Sequence, residues 1–522
     1  MILAGRRIRR RPSDPGRRAR YNRLRPFRAA KCRAAASAGA LYLPMKYLWI
    51  SLVLCLPCAA HAADLDGAAL AAWWALPFAG LLLSIACLPL LAPHFWHAHF
   101  GKIAAAWGLL LLGPLAVAHG MSTAWGTLVH ALLAEYLPFI VLLASLYTVA
   151  GGICLHGRLR GTPARNTGLL AFGALLASVM GTTGAAMLLI RPLLRANAQR
   201  RRIVHLVVFF IFLVANAGGA LSPLGDPPLF LGFLNGVDFF WTTRHLLGPT
   251  LFVCGILLLL FFWIDTVLLR GEPDAVTQGH AERGAGGGSA GAADAQRLSL
   301  DGKINLVLLA AIVLVVLGSG LWRPGYALTL AGTRLALQDV VRDLLLAVLM
   351  LASLAWTPRS ARIGNAFGWA PMLEVAKLFA GIFVTIAPVI AMLRAGDAGA
   401  LASVLHWVDG PAGQPRVPMY FWATGLLSSF LDNAPTYLVF FHAAGGDAAV
   451  LMDAGARTLA AISAGAVFMG ANSYIGNAPN FMVKSIAEAR GVRMPGFFGY
   501  LIWSGGILLP LFLLTTFIFF RA

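Results

Sequence analysis

The sequence predicts an all-α polytopic membrane protein built as two inverted repeats, each of five transmembrane helices plus one re-entrant hairpin, with broken helices. Three observations carry this. The 522 residues are 59% hydrophobic and 12% charged, with a mean hydropathy of +0.76, and many runs reach the roughly 20 apolar residues that cross a bilayer. The stretch GALSPLGDPPLF (219–230) returns as GANSYIGNAPNF (470–481), 251 residues later. Finally, the polar Gly/Ala-rich stretch 271–299 divides the chain into halves that each hold an odd number of crossings.

The elements follow in order. Residues 1–44 hold thirteen Lys/Arg against Asp14 alone, so most of the formal net charge of +20 sits there. This basic extension is expected not to be translated, because Met45 opens MKYLWISLVLCLPCAAHA. That stretch, 45–62, has the short apolar core and Ala60-His61-Ala62 cleavage site of a secretory signal. Its Cys55 and Cys58 lie inside the signal and carry no redox reading. The first repeat occupies 63–270, a flexible cytoplasmic linker 271–300, and the second repeat 301–522. Crossings are expected at 69–92, 102–119, 130–155, 203–235, 246–268, 304–322, 341–356, 369–395, 457–488 and 497–519. Two further apolar stretches, 167–195 and 418–443, are interrupted at Gly181-Thr182-Thr183-Gly184 and Asp432-Asn433-Ala434-Pro435. A polar, Gly/Pro-broken centre reads as a hairpin that leaves by the face it entered.

Charge tests this map. With a periplasmic start, the loops assigned to the cytoplasm hold Lys102, Arg158, Arg191, Arg200, Arg201, Arg202, Arg359, Arg362 and Lys484 among others, and the opposite side holds fewer, such as Arg244, Arg342 and Arg394. That is the positive-inside bias of a multi-pass protein in a bacterial-type inner membrane. Counting either hairpin as a crossing would reverse it.

The duplicated motif has a physical meaning. A break in a membrane helix frees backbone N–H and C=O groups, which must face a protein cavity because lipid cannot satisfy them. Here the breaks are Gly218, Gly219, Pro223, Gly225 and Pro227 in the first half, and Pro435, Gly476 and Pro479 in the second. Half-helix N-termini favour anions, and exposed carbonyls favour cations. Inverted repeats with broken helices are the architecture of secondary transporters.

The run Asn216-Ala-Gly218-Gly219-Ala-Leu-Ser222-Pro223-Leu-Gly225-Asp226 has the form N-x-G-G-x-x-S-P-x-G-D, and Leu431-Asp432-Asn433-Ala-Pro435 the form L-D-N-x-P. With these motifs the chain resembles the ion-transporter superfamily, in its sodium/proton antiporter and citrate-transporter branch. The likeness covers nearly all of the mature chain in layout, though only short motifs carry it. It implies a scaffold with a mobile transport region, often dimeric. The first tip departs from the pattern, reading Gly-Thr-Thr-Gly without an Asp-Asn pair.

Asp226 and Asp432 are the sharpest candidates, since an acid inside a span is costly and marks an ion or proton site. The alternative is that each caps a half-helix. Asn216, Asn433, Asn472, Asn477 and Asn480, with Thr182, Thr183, Ser222 and Ser473, supply oxygens and donors for ion or carboxylate, or else close the breaks as polar glue. Glu135 and Glu374 begin corresponding third helices and are expected at the interface; Lys377 lies one turn after Glu374. Arg191 and Lys484 read as topology anchors that can also attract an anion. His94, His97 and His99 in HFWHAHF fit an interfacial aromatic belt better than a metal site.

The function expected is transport by alternating access, not enzymatic catalysis: a sodium/proton antiporter first, a cation-coupled citrate or other carboxylate transporter as the alternative. An intramembrane aspartyl protease is remote, because Leu224-Gly225-Asp226 is preceded by Pro223. No GxxxxGK[ST] loop occurs, which argues against ATP-driven pumping. Expected partners are the bilayer, small ions, a carboxylate substrate and a second copy, with no nucleic acid. No cofactor is expected beyond Na⁺ or H⁺ as coupling ions.

Overall fold

The computed structural model describes residues 65–157, 160–272, 299–410 and 414–521. The basic extension, the signal segment 45–62 and the body of the linker lie outside them. After a 3₁₀ turn at Ala72–Ala75 come α1 (Leu76–Leu91) and α2 (Pro93–His119). Proline is favoured in the first helical turn, so Pro93 starts α2 well before the apolar run at 102 and makes HFWHAHF helical. Gly120, at φ +90°, turns the chain into α3 (Met121–Ala150), whose middle, Ala131–Tyr136, is a π-turn. β1 (Cys154–His156) follows. α4 (Pro163–Met180) and α5 (Thr182–Ala196) form the first hairpin, hinged at Gly181 with φ +81°, a backbone state that glycine adopts without strain.

The next span is broken, as expected, into α6 (Val204–Leu213), a 3₁₀ turn Ala217–Leu221 and α7 (Pro227–Leu234). α8 (Trp241–Arg270) ends the first half. β2 (Ser299–Asp301) pairs antiparallel with β1, Cys154 facing Asp301. Then come α9 (Ile304–Leu321), the ribbon of β3 (Ala327–Leu330) and β4 (Thr333–Ala336), α10 (Leu337–Trp356), α11 (Arg359–Gly364), α12 (Ala370–Arg394) and α13 (Ala402–Val408). The second hairpin is α14 (Val417–Phe430) and α15 (Asn433–Ala443). A short α16 (Ala448–Met452) leads to α17 (Ala456–Met469), a 3₁₀ turn Gly470–Asn472, α18 (Ala478–Glu488) and α19 (Phe497–Phe519).

Among the described residues, eight helical segments are long and apolar enough to cross a membrane. Two other expected crossings are also helical. One, α10, carries Asp339, Arg342 and Asp343; the other is divided into α17 and α18. Outward leucines, valines and isoleucines such as Leu83, Val117, Leu259 and Ile502 are exposed, as side chains that meet lipid must be. α6 buries all but its first residue and α17 is buried from Thr458 onward, so these two mainly apolar helices sit at the centre.

Each hairpin returns to its starting end. Asn166 and Asn197 exchange amide hydrogen bonds of 3.1 and 3.0 Å at the base of the first, and the Tyr420 hydroxyl donates to the Ala443 carbonyl at the base of the second. α8 relates the two bases. Near its C-terminal end Asp265 accepts from Asn166; at its N-terminal end the Trp241 indole donates to Met452 O, just beyond the second hairpin. The hairpins therefore approach from opposite ends of a helix about 45 Å long at 1.5 Å per residue.

Candidate functional site

The two hairpin tips and the two broken helices meet at Asp226. Its Oδ1 accepts from Thr182 Oγ1 and Asn477 Nδ2, each at 3.0 Å, and its Oδ2 accepts from Asn433 Nδ2 at 2.5 Å. Thr182 comes from the first tip, Asn433 from the second, and Asn477 from the opposite break. The carboxylate is fully buried. Although Asp226 stands in the N-cap position of α7, its side chain makes no capping bond. Asp432 does cap: its Oδ1 accepts from Ala434 N at 3.1 Å. The two carboxylates form no hydrogen bond with each other among the described residues, as a protease dyad would.

The remaining candidates divide by what they touch. Asn216 donates to Ile211 O and Asn480 Oδ1, and its own Oδ1 accepts from Asn477. Asn480 Nδ2 donates to the Gly470 and Ser473 carbonyls. These amides bridge the two breaks. Ser222 donates to the Ser178 carbonyl and Ser178 to Gly218 O; 251 residues on, Ser473 donates to Ser429 O and Ser429 to Met469 O. The duplicated motif thus folds into a duplicated set of bonds. Ser222 and Ser473 tie each break to its hairpin and leave little capacity for a ligand. Asn472 donates to Ser429 Oγ, while the buried Oδ1 atoms of Asn472 and Asn433 have no partner.

The break glycines permit backbone contact. A Cβ on Gly225 would stand 2.1 Å from Gly219 O, and one on Gly476 2.6 Å from Gly470 O. Thr182 N donates to Gly225 O at 2.8 Å, so a carbonyl freed by the first break is met by the tip of the first hairpin.

Above Asp226 lies a cavity of about 830 Å³, within the range of small-molecule sites. Thr182, Thr183, Asp226, Asp432 and Asn477 form its polar floor, with Pro223, Gly225, Pro227 and Pro479 beside them; the walls are mainly apolar. It extends to Glu374 at the start of α12 and to Lys484 on α18. That end lies by β1, because Asn365, just before α12, donates to the carbonyls of Gly151 and Ile153. Among the described residues, no lining side chain comes from 235–245, 392–417 or 443–457, at the other end.

Residues 67–520 match the family model described as "Putative citrate transport". The chain belongs to this citrate-transport family. No individual curated protein matches it. Membership and the membrane helices make this citrate-family protein a secondary transporter and a multi-pass membrane protein.

Several sequence expectations for the family member are corrected in detail. Glu135 does not begin a helix. Because α3 starts at Met121, Glu135 falls midway along it in the π-turn, 4.0 Å from His130. Glu374 lines the cavity mouth, and Lys377 sits 5.3 Å over the Phe100 ring instead of pairing with it. Lys484 pairs with Glu488 at 3.3 Å and faces the rings of Tyr474 and Phe481. Arg191 is half-buried, its guanidinium donating to Met187 O outside the cavity lining. On helical α2, His97 turns toward the cavity while His99 bonds Phe95 O; two residues apart, they occupy opposite faces.

Sequence reasoning missed a second polar centre. Asp265 on α8 accepts from Arg200 (2.5 Å), His205 (2.8 Å) and Asn166 (2.9 Å), all buried. In the sequence Arg200 reads as a loop charge. The available signal was Asp265 itself, an acid inside FFWIDTVLL, to which the rule that singled out Asp226 applies equally.

Proposed function

We propose that this secondary transporter moves a carboxylate of the citrate type together with a cation, Na⁺ or H⁺, and that Asp226 holds the coupling ion. The observation that carries this reading is Asp226 itself: one buried carboxylate gripped by both hairpin tips and by the opposite break. Its three donors satisfy the ionised form while no cation is present. A cation or proton arriving from the cavity competes with them, and losing one donor loosens a tip. Coupling-ion binding is thereby linked to the relative position of the hairpins, which is the step alternating access needs. Thr183 and the backbone of the tips supply hydroxyl and N–H groups for substrate carboxylates, and Asp432 adds a second oxygen site for a cation. We read the two halves as inverted, with the linker on the cytoplasmic side of a bacterial-type inner membrane.

A sodium/proton antiporter is the second reading. What favours it is the charge of the cavity: Asp226, Asp432 and Glu374 line it, and its lining lysine, Lys484, is already paired with Glu488. The two separate in liposomes loaded with a pH-sensitive dye and carrying a proton gradient. Uptake of labelled citrate that requires Na⁺ or a proton gradient, and is lost in Asp226→Asn, supports carboxylate transport. A pH response to Na⁺ alone, with no uptake of carboxylate, assigns antiport instead.

A further inference from the structure

Behind the half-helix that Asp226 opens lies a second, unassigned cavity of about 340 Å³, between the C-terminal end of α9 and the N-terminal end of α10. Leu314, Gly318, Val341 and Leu345 make it mainly apolar. Leu314 and Leu345 are exposed on its outer side, so it opens sideways, toward bilayer lipid. Two polar residues, Arg342 and Gln338, line its inner side with buried polar atoms. Arg342 is buried, with its side chain 1% accessible, and donates through Nε to Asp343 (2.9 Å) and through Nη1 to Asp339 (2.7 Å). Its Nη2 has no acceptor, and the buried Oε1 of Gln338 has no donor. Both residues line the cavity. Buried polar atoms without partners are uncommon and costly in native proteins.

We infer that this groove binds a zwitterionic phospholipid whose headgroup carries N–H donors, a primary ammonium lipid. An acceptor oxygen of its phosphate or ester answers Arg342 Nη2, the ammonium answers Gln338 Oε1, and an acyl chain lies along Leu314, Gly318 and Leu345. The charges select this class. Arg342 is already opposed by two carboxylates, so an anionic headgroup gains no net attraction, while a donor-bearing ammonium does. A choline headgroup has no N–H to give.

The site touches the transport machinery. The Arg342 guanidinium stands 6.0 Å over the ring of Phe230, which also lines the cavity above Asp226. On the same half-helix, Phe233 closes on α9 so tightly that a Cβ on Gly320 would stand 3.2 Å from its ring. A lipid seated here braces α7 against α9 and α10.

The test is native mass spectrometry of the purified full chain. It is equilibrated in mixed micelles holding equal phosphatidylethanolamine and phosphatidylcholine, with matched acyl chains. The expected result is preferential retention of phosphatidylethanolamine. Gln338→Leu reduces that preference about fivefold, the weight of one hydrogen bond. Leu314→Trp, which fills the groove from the lipid side without touching the polar groups, abolishes retention. Size-exclusion profiles identify any variant that fails to fold, and the two substitutions test the same point independently. Equal retention of the two lipids, displacement of both by phosphatidylglycerol, or an unchanged preference in both variants would overturn the proposal. So would disulfide cross-linking of two copies through Leu314→Cys in dilute proteoliposomes, because a second copy would then cover the groove.

Discussion

At Asp226 the chemistry is decided by hydrogen-bond direction. All three of its side-chain partners donate, and the carboxylate only accepts. In Asp226→Asn the new amide points a donor at another donor, an unmet pair that costs about 1–3 kcal/mol. Coupled transport falls to background while the variant still inserts in the membrane; wild-type uptake kinetics in proteoliposomes would remove Asp226 from the mechanism. Asp432 behaves differently, because asparagine caps a helix about as well as aspartate. Asp432→Asn is expected to leave the melting temperature in detergent unchanged and to impair transport. If transport is also unchanged, Asp432 is a cap and nothing more. Both acids were legible in the sequence, since an acid inside a span marks itself. Their difference was not, because a capping bond depends on where one carboxylate turns after folding. Asp265 shows the reverse: its position inside an apolar run is a signal, but Arg200, which answers it, lies 65 residues away in a run of arginines that looks like a loop.

At the scale of the element, the breaks are backbone structures. Gly225 and Gly476 sit where another carbonyl passes too close for a side chain, and a backbone carbonyl cannot swing aside as a flexible side chain can. Gly225→Ala is expected to lower the melting temperature sharply and to abolish transport, with Gly476→Ala close behind. Gly255, in the middle of α8 with open space around it, is the control. Gly255→Ala is expected to be neutral, or to gain up to about 1 kcal/mol of helix propensity. The breaks were legible because the same glycines and prolines occur twice at one offset, and the serine bonds they organise recur at that offset too. The early start of α2 was not. Pro93 is a helix-start signal, but the polar HFWHAHF that follows it hides the helix from any reading based on apolar runs. The π-turn in α3 leaves no mark in composition at all.

At the scale of the molecule, the cavity reaches the end where β1 and β2 meet, and its lining omits the other end. Thr183→Cys, in a background without native cysteines, should react with a membrane-impermeant maleimide from the side that carries the linker. Labelling from the opposite side alone would reverse the assignment of access. At that same end Asp265 ties α4, α6 and α8 together, through Asn166, His205 and the Arg200 segment. Asp265→Asn leaves Arg200 buried without its counter-charge, a loss of about 3–5 kcal/mol that thermal unfolding in detergent reads directly. Ten crossings and two hairpins could be counted from composition and charge. Which end the cavity reaches could not, because that depends on how packed bodies lean and not on any local run of residues.

The described residues on either side of the expected linker are both anchored. Glu272 accepts from the backbone N–H groups of Arg201 and Arg202, and Ser299–Asp301 is laced to Cys154–His156. We propose that the stretch joining them is a tether, as its Gly/Ala-rich composition implies, whose contribution is to keep two partners at high mutual concentration. The gene should therefore be divisible. Two open reading frames, parted within that stretch and expressed together, should yield halves that find one another in the bilayer and transport as the single chain does.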